Sequence, residues 1–155
     1  MNSAYAQGRI DTIEFLFDEI DSQKIDPQVI SYLSQYLSVF ICGVYEDIIE
    51  NLLLDFVKKD QISIPSLNYI FIAIDKGFRN PDEGNIKSLL KKFNEPWVDQ
   101  LNLVVTRSEW IALNNIVTNK NKIAHGESSN ITYILIKDYY SESKKVIIAI
   151  DSIIV

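Results

Sequence analysis

The sequence predicts an all-α protein, a helical bundle with one long early helix. The 155 residues are 47% hydrophobic and 23% charged, which is the composition of a soluble globular domain with one core. Apolar residues recur at helical spacing through most of the chain. No repeat, low-complexity tract or linker divides residues 1–155, so a single domain is expected.

The first two helices follow from apolar periodicity and from a capping sequence. The segment "RIDTIEFLFDEIDSQ" has isoleucine and phenylalanine at three- and four-residue steps, which predicts a first helix. Asp26 suits an N-cap, and Pro27 suits the first helical position because its missing N–H costs nothing there. The pattern continues to about Val57, so the second helix is expected to be the long spine of the fold.

A third helix is predicted over "SIPSLNYIFIAIDKG", which opens with serine and proline and ends at glycine. Its central run "YIFIAI" is rich in β-branched residues and is also compatible with a buried strand. The flanking residues favour the helix. The segment "FRNPDEGN" that follows is the clearest loop in the chain.

Four helical segments complete the prediction. "IKSLLKKF" indicates a short helix, and Pro96 begins another that extends to about Val105. "SEWIALNNIVTNKNKIAH" has apolar residues along one side and predicts a further helix. The tail "YILIKDYYSESKKVIIAIDSIIV" is compatible with a strand at its start, but its helical spacing favours a helix throughout.

Charge and compartment restrict the classes of function. The formal net charge of −6 argues against a broad electrostatic nucleic-acid surface, although it leaves room for a small basic site. The single cysteine, Cys42, cannot form an internal disulfide and is expected in the core of a protein from a reducing compartment. The start of the chain lacks the features of a signal peptide, and Val29 to Val57 is too polar for a membrane span. A cytoplasmic protein without membrane contact is expected.

The only histidine, His125, ends the sixth predicted helix within "TNKNKIAHGESSN". Histidine is the side chain best suited to exchange protons near neutral pH, so it is a candidate general acid or base. Gly126 suits the left-handed position that follows a helix, and the helix dipole there favours a protonated imidazole. The alternative is an ordinary helix end without a catalytic role.

Polar residues share the helical stripe of His125. At about 100° per residue, Asn121 lies about 40° from it, and two further polar residues lie one and two turns earlier. The stripe consists of Asn114, Thr118, Asn121 and His125, and it is flanked by Lys120 and Lys122. These lysines are candidates to bring positive charge to a phosphate. A solvated surface without function is the alternative interpretation of the stripe.

The segment "IVTNKNKIAHGE" resembles the signature of the HEPN superfamily, in which an arginine and a short spacer precede a histidine, often as arginine–asparagine–any–isoleucine–alanine–histidine–glycine. In this chain Lys120 stands where the arginine is expected. The matching residues are Asn121, Ile123, Ala124, His125 and Gly126. The segment "VFICGVYEDIIENLLLDFVKK", with Gly43 and Glu46, resembles the long early helix of the RiboL-PSP branch.

The resemblance implies a HEPN-like helical bundle that dimerises about a two-fold axis and places both signature histidines in one cleft. Many members are metal-independent endoribonucleases, often toxins or antiviral effectors, and others have lost the motif and only bind or scaffold. RNA cleavage without metal needs a base for the ribose 2′-OH, an acid for the leaving 5′-oxygen and positive charge on the phosphate. The single histidine therefore needs a second copy of the chain.

The predicted function is RNA cleavage by a homodimer through attack of the 2′-OH, which leaves a 2′,3′-cyclic phosphate, with no cofactor and no metal. The resemblance assigns catalysis to His125, Lys120 and Asn121. The substrate-binding candidates are Lys122, Asn114, Thr118 and Glu46. A toxin–antitoxin or phage-defence context would add an antitoxin or other partner protein. The alternative is a non-catalytic HEPN module that binds RNA, a nucleotide or a protein.

Four assignments remain open on the sequence. Lysine at position 120 is a flexible point charge where arginine has a planar fork, so the site is either active with a lysine or inactive. Glu46 is either a solvated acid or a cleft residue that orients Lys120 or His125. Arg79 reaches the cleft only if folding brings it there. The aromatic side chains Tyr45, Trp97 and Trp110 either stack on bases or belong to the core.

Overall fold

The computed structural model describes residues 1–59 and 62–154, and within them it contains seven helices and no strand. The helices are α1 (Ala4–Asp21), α2 (Pro27–Lys58), α3 (Ile64–Gly77), α4 (Glu83–Phe93), α5 (Glu95–Val104), α6 (Arg107–Ala124) and α7 (Tyr133–Ile153). The all-α prediction is confirmed, including the helical interpretation of α3 and α7. The predicted domain of residues 1–155 also contains Asp60, Gln61 and Val155, which lie outside the described residues.

Side-chain caps set where the helices begin. Asp26 accepts a hydrogen bond from the backbone N–H of Gln28 (2.8 Å), so α2 begins at Pro27 as predicted. Asp82 accepts from the N–H of Asn85 (2.8 Å), which moves the start of α4 several residues ahead of the predicted segment. The helix α1 also begins earlier than predicted, because Ser3 caps it. These caps satisfy N–H groups that a helix start leaves unpaired.

The core lies between α2, α6 and α7, which pack against one another most extensively. The helix α1 packs on α2, α4 packs on α5 and α6, and α5 packs on α7. In the centre, the Tyr45 and Ser143 hydroxyl groups form a buried hydrogen bond of 3.0 Å between α2 and α7. The helix α6 packs against both α2 and α7, which fixes the position of its C-terminal end.

The start of the chain is attached to the last helix. The carboxylate of Asp151 on α7 is 1% exposed and accepts hydrogen bonds from the backbone N–H groups of Asn2 and Ser3, the latter at 3.0 Å. Two backbone donors thus compensate the burial of one charge. Across residues 1–59 and 62–154, none of the helices combines the length and hydropathy needed to cross a bilayer.

Candidate active site

His125 occupies the C-cap of α6, and the backbone around it forms a Schellman motif. The Glu127 N–H donates to the carbonyl of Lys122 (2.8 Å), and the Gly126 N–H donates to that of Ile123 (3.1 Å). Gly126 has φ +72°, a conformation that glycine adopts without steric cost. The predicted helix end is confirmed, and its geometry fixes where the imidazole leaves the backbone.

The imidazole of His125 is exposed. Within the described part of the chain it forms neither a hydrogen bond nor an ion pair, so both ring nitrogens are accessible to a ligand or to a second protein chain. The segment after it turns back along α6, where the Ser129 hydroxyl donates to the side-chain oxygen of Asn119 (2.8 Å). This contact keeps the loop beside the helix.

Lys120 is half-buried, one turn before the end of α6, and its ammonium group is held by the loop between α3 and α4. Its Nζ donates to Oδ1 of Asn80 at 2.7 Å, and the Asn80 backbone N–H donates to Oε1 of Glu46 at 2.8 Å. We call this arrangement the Glu46–Asn80–Lys120 chain. It joins α2, the loop and α6. Asn80 stands between Glu46 and Lys120 and forms a hydrogen bond with each of them.

The backbone of Asn80 is held in an uncommon conformation. Its φ is +57°, a region that asparagine tolerates better than most residues with a side chain. The side chain of Asn85 on α4 donates to the carbonyl of Asn80 (3.0 Å), to that of Arg79 (3.2 Å) and to Oδ2 of Asp82 (2.8 Å). The loop is therefore fixed at both the N–H and the carbonyl of Asn80.

Three of the four residues of the predicted polar stripe line one groove of about 500 Å³ between α6 and the start of α4. The side-chain oxygen of Asn114 accepts from the backbone N–H of Glu83 (3.0 Å) and so joins the two helices. Glu83 also pairs with Lys87 (2.7 Å) and Arg107 (3.0 Å), which offset its charge. The full lining consists of Asp82, Glu83, Gly84, Lys87, Asn114, Val117, Thr118 and Asn121.

Other predicted residues lie apart from this groove. His125 is not among its lining residues and lies one turn beyond Asn121. The side chain of Lys122 is exposed. The Arg79 guanidinium contacts the carbonyl of Phe78 (3.4 Å) and Asp75 (3.9 Å), so its contacts are with α3 and the loop. The neighbouring residue, Asn80, therefore lies at the site, whereas the guanidinium of Arg79 contacts groups outside it.

The core interpretation of the aromatic residues is confirmed, since Tyr45, Trp97 and Trp110 are 0%, 5% and 3% exposed. Cys42 is also buried, as predicted. Burial, and to a lesser degree the Glu46 carboxylate, raises the pKa of its thiol to about 12, against the opposing charge of the Lys120 ammonium. Cys42 is therefore a core residue, about one helical turn before Glu46 on α2.

The sequence did not reveal Asn80 as a site residue. The composition of its segment "FRNPDEGN" predicts only a loop. An asparagine in a loop is a known signal for a left-handed backbone, but its contact with a lysine forty residues later depends on the fold.

In residues 1–59 and 62–154, no three histidine, cysteine or carboxylate side chains lie close enough together to hold a metal ion.

Comparison with known proteins gives one match. The family model described as RiboL-PSP-HEPN matches residues 6–155 of the chain, which is nearly its whole length. No curated protein and no solved structure matches it.

Proposed function

The chain belongs to the RiboL-PSP-HEPN family, and from that premise we propose that it is a metal-independent endoribonuclease that acts as a homodimer. HEPN domains often bind RNA and form dimers. The observation that carries the proposal is the exposed imidazole of His125, fixed by the Schellman motif at the end of α6. His125 lies one helical turn after Asn121, which lines the polar groove, and five residues after Lys120, whose ammonium group is held by Asn80.

Two copies of His125 divide the acid–base work. The neutral imidazole of one protomer removes the proton of the ribose 2′-OH, and the resulting oxygen attacks phosphorus. The bond from phosphorus to the 5′-oxygen breaks, and the imidazolium of the other protomer gives that oxygen its proton. The products are a 2′,3′-cyclic phosphate and a 5′-hydroxyl end, and the two histidines exchange their protonation states.

Positive charge and hydrogen bonds stabilise the phosphate during this step. Lys120 supplies charge to the non-bridging oxygens, and the Asn121 amide supplies a hydrogen bond. The exposed Lys122 attracts the next phosphate of the strand. Asn114 and Thr118 bind the RNA along the groove, and Glu46 acts on the site through Asn80.

An exposed stripe on α2 supports the homodimer. Its apolar members recur at alternating three- and four-residue steps, the spacing at which one helix packs along another. They are Val29 (46% exposed), Tyr32 (62%), Tyr36 (52%) and Val39 (39%). The same spacing continues through Gly43 to Glu46, so a partner on this stripe would reach the Glu46–Asn80–Lys120 chain.

Gly43 adds a second indication. It is exposed, and a Cβ built on it would meet no described atom within 4 Å, so packing within the protomer does not require glycine here. A glycine in the middle of a helix costs roughly 0.5–1 kcal/mol relative to alanine. In the proposed dimer, a helix of the second copy approaches α2 closely at Gly43, and this packing offsets the cost of the glycine.

The biological setting that fits such a nuclease is a toxin–antitoxin or phage-defence system in the cytoplasm, where a partner protein restrains it. The second candidate function is a non-catalytic HEPN module that binds RNA, a nucleotide or a protein. The lysine at position 120 favours this alternative, because it lacks the bidentate grip of an arginine on phosphate. The two functions share the groove and differ in whether His125 reacts.

The decisive experiment incubates the purified protein with mixed RNA in excess EDTA and follows cleavage with time. We expect the wild-type protein to produce cyclic-phosphate ends, detected by mass spectrometry, and His125→Ala to produce none. Ser128→Ala, which changes an exposed residue of the same loop, is the matched control and should cleave normally. Intact RNA with the wild-type protein across a wide concentration range would instead favour the binding module.

A further inference from the structure

We propose that Asn80 is a positioning residue for Lys120, and that its side-chain oxygen gives the lysine the fixed direction that an arginine has through its planar fork. This inference rests on the proposed RNA cleavage. The contact is the 2.7 Å hydrogen bond from Lys120 Nζ to Asn80 Oδ1. An ammonium group has three N–H donors, so one donor is committed to Asn80 and two remain for phosphate oxygens.

The acceptor is suited to this task because it is neutral. A carboxylate in the same place would form an ion pair and cancel the charge that the phosphate needs. The nearest carboxylate in the chain of contacts, Glu46, binds the Asn80 backbone N–H at 2.8 Å, while Lys120 binds the side chain. In the described residues Lys120 forms no ion pair, so its hydrogen bond orients the ammonium and leaves its charge intact.

The loop conformation supports the same assignment. Asn80 has φ +57°, which is strained for a residue with a side chain, and glycine would adopt it without strain. The contacts of its N–H with Glu46 and of its carbonyl with Asn85 involve only backbone atoms, so glycine would preserve them. What asparagine adds over glycine is the side-chain oxygen on Lys120.

This separation of backbone and side chain defines the test. Asn80→Gly removes Oδ1 and keeps both backbone contacts, so the melting temperature should stay close to the wild-type value. Cleavage should fall about tenfold in kcat with little change in KM, because the lysine stabilises the transition state less well once it is mobile. Asn130→Gly, the same substitution in another exposed loop, should cleave at the wild-type rate.

A double-mutant cycle shows whether Asn80 acts through Lys120. In a Lys120→Met background, Asn80→Gly should have no further effect on kcat. In a Lys120→Arg background the effect should be small, because the guanidinium is planar without help. A full tenfold loss in either background, or wild-type kcat in Asn80→Gly alone, would overturn the proposal.

The positioning is also observable without activity. The ¹⁵N signal of the Lys120 ammonium group, assigned through its loss in Lys120→Met, should be visible at low temperature because the hydrogen bond slows proton exchange. It should broaden beyond detection in Asn80→Gly. An unchanged signal in Asn80→Gly would overturn the positioning role itself. A wild-type protein that shows this signal but leaves RNA intact would instead overturn the nuclease function, and with it the catalytic role of Asn80.

Discussion

The hydroxyl group of Ser129 donates a hydrogen bond of 2.8 Å to the side-chain oxygen of Asn119, ten residues earlier on α6. The loop that carries Gly126 and Glu127 is therefore closed at both ends, by the helix cap at one end and by this contact at the other. His125 lies at the beginning of that closed turn with its ring exposed. A catalytic group needs this combination of a fixed backbone and an accessible side chain.

Gly126→Ala should disturb this turn. Gly126 has φ +72°, and a side chain in that conformation costs roughly 1–2 kcal/mol. We expect the free energy of unfolding to fall by about that amount, measured by urea denaturation, with a larger fractional loss of RNA cleavage because His125 moves. Gly77→Ala, at a helix end without a positive φ, is the control. An unchanged stability would show that the Schellman motif does not constrain the histidine.

The sequence was sufficient for the helices and for the turn at His125, because both depend on local signals. Periodicity, the Asp26–Pro27 start of α2 and the glycine after His125 are each contained within a few residues. The apolar pattern predicts starts of α1 and α4 that are several residues too late, because their caps, Ser3 and Asp82, precede the pattern.

The contacts of the candidate site depend on tertiary structure. Glu46, Asn80 and Lys120 are separated by 34 and 40 residues in the chain, and they meet only when α2, the α3–α4 loop and α6 pack together. Neither sequence interpretation of Glu46 includes its hydrogen bond with the Asn80 backbone N–H, because no side-chain pattern reveals such a contact. The stripe of Asn114, Thr118 and Asn121 was visible in sequence, whereas the α4 start that completes its groove was not.

Asp151→Asn should weaken the attachment between the start of the chain and α7. The buried carboxylate accepts from the backbone N–H groups of Asn2 and Ser3. An amide offers one acceptor oxygen and would turn an N–H donor toward one of them, so one buried group loses its partner. We expect the free energy of unfolding to fall by about 1–3 kcal/mol. Asp138→Asn, on the exposed side of α7, should leave the denaturation midpoint unchanged, and an equal effect of both substitutions would contradict this role.

Cys42 should resist thiol reagents while the protein is folded. Burial raises the pKa of its thiol from 9.0 to about 12, so the reactive thiolate is scarce at pH 8 and also inaccessible. Because the folded pKa exceeds the unfolded one, the contribution of this thiol to stability is present below pH 9 and is lost as the pH rises toward about 12.

The measurement for Cys42 has two parts. Iodoacetamide labelling at pH 8 should be slow in buffer and rapid in urea, and rapid labelling of the folded protein would contradict the burial. Between pH 9 and 12, the Cys42→Ala protein should lose stability less steeply than the wild type, since it lacks the group that ionises on unfolding.

Gly43→Arg tests the surface through which the proposed nuclease would form its active site. Arginine is a better helix former than glycine, and a Cβ at this exposed position meets no described atom within 4 Å beyond its own stretch of helix, so the protomer should fold with equal or greater stability. A second copy packed on the α2 stripe would instead collide with the new side chain, and the two arginines would repel each other.

We expect sedimentation to show a dimer for the wild type and a monomer for Gly43→Arg. RNA cleavage should be lost in parallel, because each protomer has one histidine. Gly8→Arg on α1, another exposed glycine whose added Cβ would meet no described atom within 4 Å beyond its own stretch of helix, is the matched control and should remain an active dimer. A monomeric Gly43→Arg protein that still cleaves RNA would rule out a composite site, because a single His125 would then supply both proton transfers.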